Sequence, residues 1–400
     1  MKQRLLALVL AFMMIFSIGL SAAPQKVESK DLLTQNARSF IDGDQIKTYG
    51  LEVEAKEKTL TVVDGEDKIS FTAGSNVMTV NGTDFTMDTK TIAKDGKVYV
   101  PFRILFETLN YQVGWDKAAK AVTLDKKAEA KLPVKNDKYE INETHSKIVS
   151  IAPSVTETLF EIGAGDMALG RTDYCNFPKE AEKVTSVGSM MEPDIEKVIS
   201  LKPTCVLAQT HFKEEVLAKL QKAGIKVFAM ETPKSMEETY KSIETIGLIT
   251  GKNAEARALV ATMKAKLQSV ERYTKKLSAP TAYIVVGTGE YGEYTHGKDS
   301  FMDDILRIAG LTNGPRDAEG FKYTLEKLIA LNPHYMLVPA FAIDQVKTDK
   351  VYKGISAVNE GRVIEIDSDI FSRPSARVVD EGIKALLKIA HPEVLKSLEF

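Results

Sequence analysis

The stretch Ile195-Glu196-Lys197-Val198-Ile199-Ser200-Leu201-Lys202-Pro203-Thr204-Cys205-Val206-Leu207-Ala208 returns 130 positions later as Leu325-Glu326-Lys327-Leu328-Ile329-Ala330-Leu331-Asn332-Pro333-His334-Tyr335-Met336-Leu337-Val338, without a gap. Each copy reads as a helix, a proline that stops it, and a buried strand, because proline lacks the N–H that a helix interior needs. The chain therefore contains two similar α/β units. In both, a glutamate stands near the helix start with its apolar neighbours on the opposite face, so Glu196 and Glu326 occupy equivalent places. A carboxylate there complements the helix dipole, worth about 0.3–1 kcal/mol, or it meets a partner. Spacing alone leaves both open.

Outward from the repeat, short apolar runs at 148–152, 205–208, 227–230, 283–286, 335–338 and 363–366 alternate with helical patterns. That alternation predicts βα units around mostly parallel sheets. Between the first three runs and the last three, 254–277 carries Leu259, Met263, Leu267, Val270, Tyr273 and Leu277 at three- and four-residue spacing, the mark of a long amphipathic helix. At 1.5 Å per residue it spans roughly 36 Å, the width of a domain, and bridges two lobes. The expected fold is α/β: two Rossmann-like lobes at 146–250 and 280–400, joined by a single helix at 253–278.

A chain of 400 residues is too long for one hydrophobic core. Lys and Arg number 53 against 55 Asp and Glu, a net charge of -2, so the cationic excess that drives nucleic-acid binding is missing. Two cysteines make no disulfide framework, and five histidines show no zinc spacing. At the amino terminus, Met1-Lys2-Gln3-Arg4 precedes an apolar run at 5–20 and then Ser21-Ala22-Ala23, which reads as a signal peptide over 1–23. An uncleaved anchor is the alternative, although about 16 apolar residues fall short of a bilayer span. No cysteine follows the run to carry a lipid, so the mature chain is expected to be extracytoplasmic without a lipid anchor.

Between about 46 and 125 short β-type runs are punctuated by Asn81-Gly82 and Asp95-Gly96, dipeptides that suit hairpin turns needing positive φ at both centres. A helix at 102–109 and strands around Trp115 and at 121–124 complete a small α+β module, with Trp115 expected in its core. The polar segment 127–145 reads as a solvated linker. Val98-Tyr99-Val100-Pro101-Phe102-Arg103 and Tyr111-Gln112-Val113-Gly114-Trp115-Asp116-Lys117 resemble the stalk module named after copper amine oxidase amino-terminal domains, placed here at 30–126. No His or Cys lies between Pro24 and Asn142, so soft or imidazole ligation of copper has no donors there.

Lys147-Ile148-Val149-Ser150-Ile151-Ala152-Pro153-Ser154-Val155-Thr156-Glu157, Asp173-Tyr174-Cys175-Asn176-Phe177-Pro178 and the Glu-Lys-Val-Ile-Ser-Leu-Lys-Pro copy resemble the helical-backbone class of periplasmic substrate-binding proteins. These serve ABC importers of vitamin B12, ferric siderophores and haem. The resemblance implies two lobes facing each other across a cleft, a hinge limited by one helix, and no catalysis. It is closest to cobalamin binders, through Asp369-Ile370-Phe371-Ser372-Arg373-Pro374-Ser375-Ala376-Arg377 and Tyr294-Thr295-His296-Gly297-Lys298-Asp299-Ser300. It implies a cleft lined by Ser154, Tyr174, Met190, Gln209, Tyr294, Phe321, Asp369, Phe371 and Arg373, with Met190 and Gln209 where well-known relatives carry tryptophan. It also implies that Glu196 and Glu326 dock to an ABC permease dimer with its ATPase subunits, through charge-assisted contacts to arginine. Cobalamin would be cargo, with no resident cofactor.

Ser154 and Glu157 have the spacing of a capping box. Cys175 reads as a small polar filler and Cys205 as structural. Within the family the rival ligands are a ferric siderophore or haem, with His211, His296 or Tyr174 as iron ligands. Outside it stand an α/β hydrolase, disfavoured because no Gly-x-Ser-x-Gly, Gly-x-x-x-x-Gly-Lys or His-Glu-x-x-His motif occurs, and a surface adhesin tethered to wall or envelope by the stalk.

Overall fold

The computed structural model describes residues 25–209, 212–288 and 293–400. The expected signal peptide and His211 lie outside the described residues. Gln25–Glu28, ahead of the expected start at 30, already belongs to the amino-terminal domain, because it pairs antiparallel with Ala121–Lys126, whose other edge holds Tyr111–Asp116. A second sheet includes Arg38–Asp42 beside Lys97–Pro101, and a third is a five-stranded meander from Glu52–Lys56 to Thr83–Thr86. Both turn dipeptides behave as their chemistry requires, with φ of 49° and 88° at Asn81-Gly82 and 51° and 74° at Asp95-Gly96.

Trp115 departs from its expected place. It is 52% exposed, because the core ends at Val113 and the last turn of that strand runs past it to the rim of a groove. The segment 127–145 also departs in part from solvated chain. Val134–Lys135 and Glu140–Ile141 form a hairpin, Tyr139 and Ile141 are buried, and Asn136 Nδ2 donates to the Ala229 carbonyl at 2.8 Å. Its second half is thus fastened to lobe one.

Lobe one is a five-stranded parallel sheet. Ile148–Ser150 lies at its centre, flanked on one side by Ala168–Arg171 and Thr185–Ser186, and on the other by Cys205–Gln209 and Lys226–Met230. Chain order therefore reverses between the first strand and Cys205–Gln209, as in a doubly wound sheet. Lobe two has four parallel strands with Thr281–Ile284 and Tyr335–Pro339 adjacent at its centre, Thr312–Asn313 and Val363–Ile366 outside them. Chain order reverses between the two central strands.

The helix Met236–Thr250 starts on Ser235, whose hydroxyl accepts from the Glu238 N–H, and ends at Gly251 with φ 72°. Glycine takes that left-handed cap without steric cost. The turn leads directly into the bridging helix, Asn253–Thr274. Its burial is extensive because the Phe102–Thr108 helix of the amino-terminal domain, the Met236–Thr250 helix and lobe two all lie against it. One apolar cluster therefore runs from the amino-terminal domain through the bridging helix into both lobes, while the outer layer of lobe two keeps a separate core around Tyr283, Met336, Val338 and Tyr352.

Candidate ligand-binding and docking sites

Open parallel sheets collect ligands at the carboxyl ends of strands where chain order reverses. In lobe one that place belongs to Ser154, just after the first strand, and Gln209, the last residue of Cys205–Gln209. Ser154 Oγ donates to Gln209 Oε1 at 2.7 Å, and Gln209 Nε2 donates to Ser242 Oγ at 2.6 Å. Both residues are buried, so they form a closed polar floor. The expected capping box is absent. Ala152 is the N-cap and Pro153 the first helical residue, and proline's preset φ starts the helix too early for Ser154 to cap it. Glu157 turns elsewhere.

It meets the segment after the last strand of lobe two. Arg373 Nη1 donates to Glu157 Oε1 at 3.0 Å and to Asn176 Oδ1 at 2.7 Å, and Nη2 donates to the Tyr174 carbonyl at 3.0 Å. Asp369 Oδ1 lies 2.8 Å from the same guanidinium, and Asn176 Nδ2 donates to Asp369 Oδ2 at 2.8 Å. Burial raises the Glu157 carboxyl above its ordinary range despite Ser375 and Arg373, the expected result when desolvation outweighs pairing. Arg373 is thus buried and engaged by protein atoms, where a free cleft-rim group was expected; it positions Tyr174 and ties lobe two to lobe one. Phe371 also departs from the expected lining, being fully packed in the core because the helix Ser368–Ser372 turns that face inward. Asp369 remains half-buried.

The side chains left open are aromatic. Tyr174 is 54% exposed in lobe one, where Met190 is half-buried and Met191 exposed. In lobe two, half-buried Tyr294 pairs with Lys322 in a short ribbon, and Phe321 precedes it, 40% exposed at φ 71°. A phenylalanine held in the left-handed region stores strain of order 1–3 kcal/mol, a cost that gathers at functional sites. Thr295 N–H donates to the Phe321 carbonyl at 2.8 Å, and the His296 ring meets the Phe321 ring edge-on at 5.4 Å. Burial lowers the His296 imidazole to about 4, leaving it neutral at neutral pH.

Sequence reasoning missed Phe341, 70% exposed in the first turn after Tyr335–Pro339, at the reversal point of lobe two. The repeat offered a signal, since the offset of 130 sets Phe341 opposite His211 in lobe one. Cys175 is buried between the hydroxyls of Thr156 and Thr172 at 3.1 and 3.2 Å, a polar filler. Burial pushes Cys205 up to about 12. Among the described residues no group of three or more His, Cys, Asp or Glu is arranged to hold a metal ion, and no helix is long and apolar enough to cross a membrane.

Glu196 and Glu326 lie at matching points of helices Ile195–Ser200 and Leu325–Leu331. Asp194 caps the first by accepting from the Lys197 N–H, and Thr324 caps the second by accepting from the Lys327 N–H. The burial pattern is the same at ten successive positions, 191–200 and 321–330. Both glutamates are exposed, and among the described residues neither has an ion-pair partner. One turn on, Ile199 and Ile329 are 41% and 37% exposed.

The family model described as periplasmic binding protein matches residues 148–370, and the copper amine oxidase N-terminal domain matches 43–124 and 80–158. An uncharacterized ABC transporter substrate-binding lipoprotein, YvrC of Bacillus subtilis, is 34% identical over 273 residues, 65% of this chain and 85% of that protein. A cobalamin-binding protein of Halobacterium salinarum is 24% identical, covering 61% of this chain and 69% of its own. The crystal structure of a possible iron-binding periplasmic solute-binding protein from Staphylococcus epidermidis superposes with a TM-score of 0.55 at 26% identity, over 62% of this chain and 100% of that one. Two parallel-sheet lobes on one bridging helix, preceded by a copper amine oxidase N-terminal-type domain, agree with these matches, and the chain belongs to the periplasmic binding protein family.

Proposed function

We propose that the protein captures cobalamin or a related corrinoid between its lobes and delivers it to an ABC importer, without chemistry of its own. The observation that carries this reading is the character of the two strand-end surfaces. Tyr174, Phe321 and Phe341 are exposed aromatic side chains there, and the Ser154 hydroxyl and Gln209 amide at the reversal point of lobe one are buried and bonded to each other. A corrinoid is a broad ring with apolar faces and an amide-bearing rim, which aromatic side chains cover and polar side chains orient. A ferric siderophore or haem is usually anionic and calls for free cations. The arginine that the family resemblance assigns to the rim, Arg373, is already spent on Glu157, Asp369 and Asn176. That favours the less charged cargo. Titrating the purified chain with cyanocobalamin, haem and ferric siderophores, followed by visible absorption and calorimetry, tests it. Micromolar or tighter binding of cobalamin alone is expected; preference for an iron compound overturns the ligand.

Delivery uses Glu196 and Glu326. Two carboxylates at equivalent points of two similar lobes suit a partner with two similar halves, such as a permease dimer carrying its ATPase subunits, and each has an exposed isoleucine one turn away to add apolar contact. Changing both glutamates to Ala should abolish stimulation of the importer's ATPase while leaving cobalamin affinity intact. Lost affinity instead refutes the docking role.

A further inference from the structure

The groove at whose rim Trp115 sits shares no lining residue with the strand ends of the lobes. It lies between the amino-terminal domain and the bridging helix and encloses about 390 Å³, within the size range of small-molecule sites. Its floor is apolar, with Phe102 and Val113 from the domain and Ala265 from the helix. Its charge is unbalanced. Asp88, buried, lies 2.7 Å from Arg38 Nε and 3.9 Å from Arg272 Nη2, and Ser269 Oγ accepts from both guanidiniums at 2.9 and 2.8 Å while donating to Asp88. One carboxylate thus serves two cations. Burial, with Arg38 beside it, lowers Arg272 from its ordinary value. Lys275, exposed at the rim, adds a further cation with no ion-pair partner among the described residues. The acid beside it, Glu271, is engaged by Arg307 at 2.6 Å.

An exposed indole, an apolar floor and an uncompensated positive field call for a ring with one apolar face and one anionic substituent. Gln268 on the rim supplies an amide for hydroxyl groups. We propose that this groove binds an anionic saccharide of the cell envelope, a sugar ring bearing a carboxylate stacked on Trp115 with its carboxylate on Lys275, in the positive field of the Arg38–Arg272 pair, whose own donors are held by Asp88, Ser269 and the carbonyls of Asn36 and Ala37. The ligand would touch the domain and the bridging helix together, and none of the residues it would touch is among those of the strand ends. The proposal is independent of which cargo the lobes hold.

Trp115 is the only tryptophan of the chain, so its fluorescence reads this groove alone. The full chain is titrated with N-acetylmuramic acid and glucuronic acid, with neutral N-acetylglucosamine, and with acetate and inorganic phosphate. Saturable changes are expected with the two acid sugars, at least about tenfold weaker with N-acetylglucosamine and with the free anions. Lys275→Gln, at an exposed position, should weaken the acid sugars about fivefold and leave cobalamin binding unchanged. Calorimetry on Trp115→Phe should show weaker binding as well. No saturable response to either acid sugar, equal affinity for the neutral sugar, the same response to acetate or phosphate, or full affinity in Lys275→Gln would overturn the proposal.

Discussion

Lobe one and lobe two are built on the same helix, proline and strand, yet their strand ends are finished in opposite ways. Lobe one closes its reversal point with a buried relay from Ser154 through Gln209 to Ser242, so that point is fixed by hydrogen bonds and its open aromatic, Tyr174, stands beyond it. Lobe two leaves its end open and apolar, with Phe341 unpaired in the first turn after the strand and Phe321 in a strained conformation. Their interiors differ too. Lobe one shares one core with the bridging helix and the amino-terminal domain, while the outer layer of lobe two has a core of its own. A duplicated unit therefore yields one half that sets shape and one that supplies apolar area. The segment carrying Asp369 and Arg373 returns from lobe two to join them.

Removing that join should give the largest effect. Arg373→Ala leaves Glu157 buried without its guanidinium, and breaking a buried pair from one side costs about 3–5 kcal/mol. Urea denaturation should show a loss of that size, and Arg373→Lys should recover only part of it, since an ammonium cannot span Glu157, Asn176 and the Tyr174 carbonyl together. A loss below about 1 kcal/mol would mean that water screens the link and that the halves are joined by the bridging helix alone.

The next effect depends on pH and lies inside lobe one. Glu161 ends the helix Pro153–Glu161, with Oε2 buried and unpartnered among the described residues. Burial first, then the like charges of Glu157 and Asp380, raise its carboxyl well above the ordinary value, against Lys266. Lys266 is itself paired with Asp380. The folded state therefore holds the proton more tightly than the unfolded chain. The stability this contributes is complete below the unfolded value near 4.5 and is lost as pH rises through the folded one. Glu161→Gln keeps the shape of the neutral acid without titrating. Its advantage should be near zero at pH 4.5 and grow above it by at most about 1.4 kcal/mol per pH unit. A pH-independent difference in thermal unfolding would place Glu161 in water, unlike Glu293 of lobe two, whose Oε1 accepts from Tyr352 at 2.8 Å while burial raises its carboxyl as well.

The layout of the lobes was legible because the repeat and the 3.6-residue pattern of the bridging helix are properties of consecutive residues. All six apolar runs are strands, and the helix expected at 254–277 is Asn253–Thr274. Of the lobe-sheet strands that escaped notice, Thr185–Ser186 and Thr312–Asn313 are two residues long, too short to carry a period, and Ala168–Arg171 is an Ala-Leu-Gly-Arg stretch with a glycine and a charge in place of an apolar run. The equivalence of Glu196 and Glu326 was also written in the chain. Contacts made across long sequence separation were not. Nothing near Glu157 foretells an arginine 216 positions away, and Trp115 looks like core until the groove against the bridging helix is seen. The repeat aligns Phe341 with His211, but its place at the point of reversal comes from the folded sheet.

The smallest expected effect bears most directly on the difference between the lobes. If lobe two supplies apolar area, trimming Phe321 should weaken cargo without harming the fold. Its ring is 40% exposed, so a ligand covering that part gains about 1.5–2 kcal/mol, or roughly a 10–30-fold change in Kd. Glycine is the informative replacement. At φ 71° it removes the ring and relieves the backbone together, so Phe321→Gly should bind cobalamin 10–30-fold more weakly by the same estimate, yet unfold at a higher temperature than Phe321→Ala. Phe321→Ala should weaken binding alike but keep the strain. Unchanged affinity in both would move the apolar surface to Phe341 alone, and a lower unfolding temperature in the glycine variant would mean that the ring holds the Lys322–Tyr323 ribbon together, making lobe two as rigid at its end as lobe one.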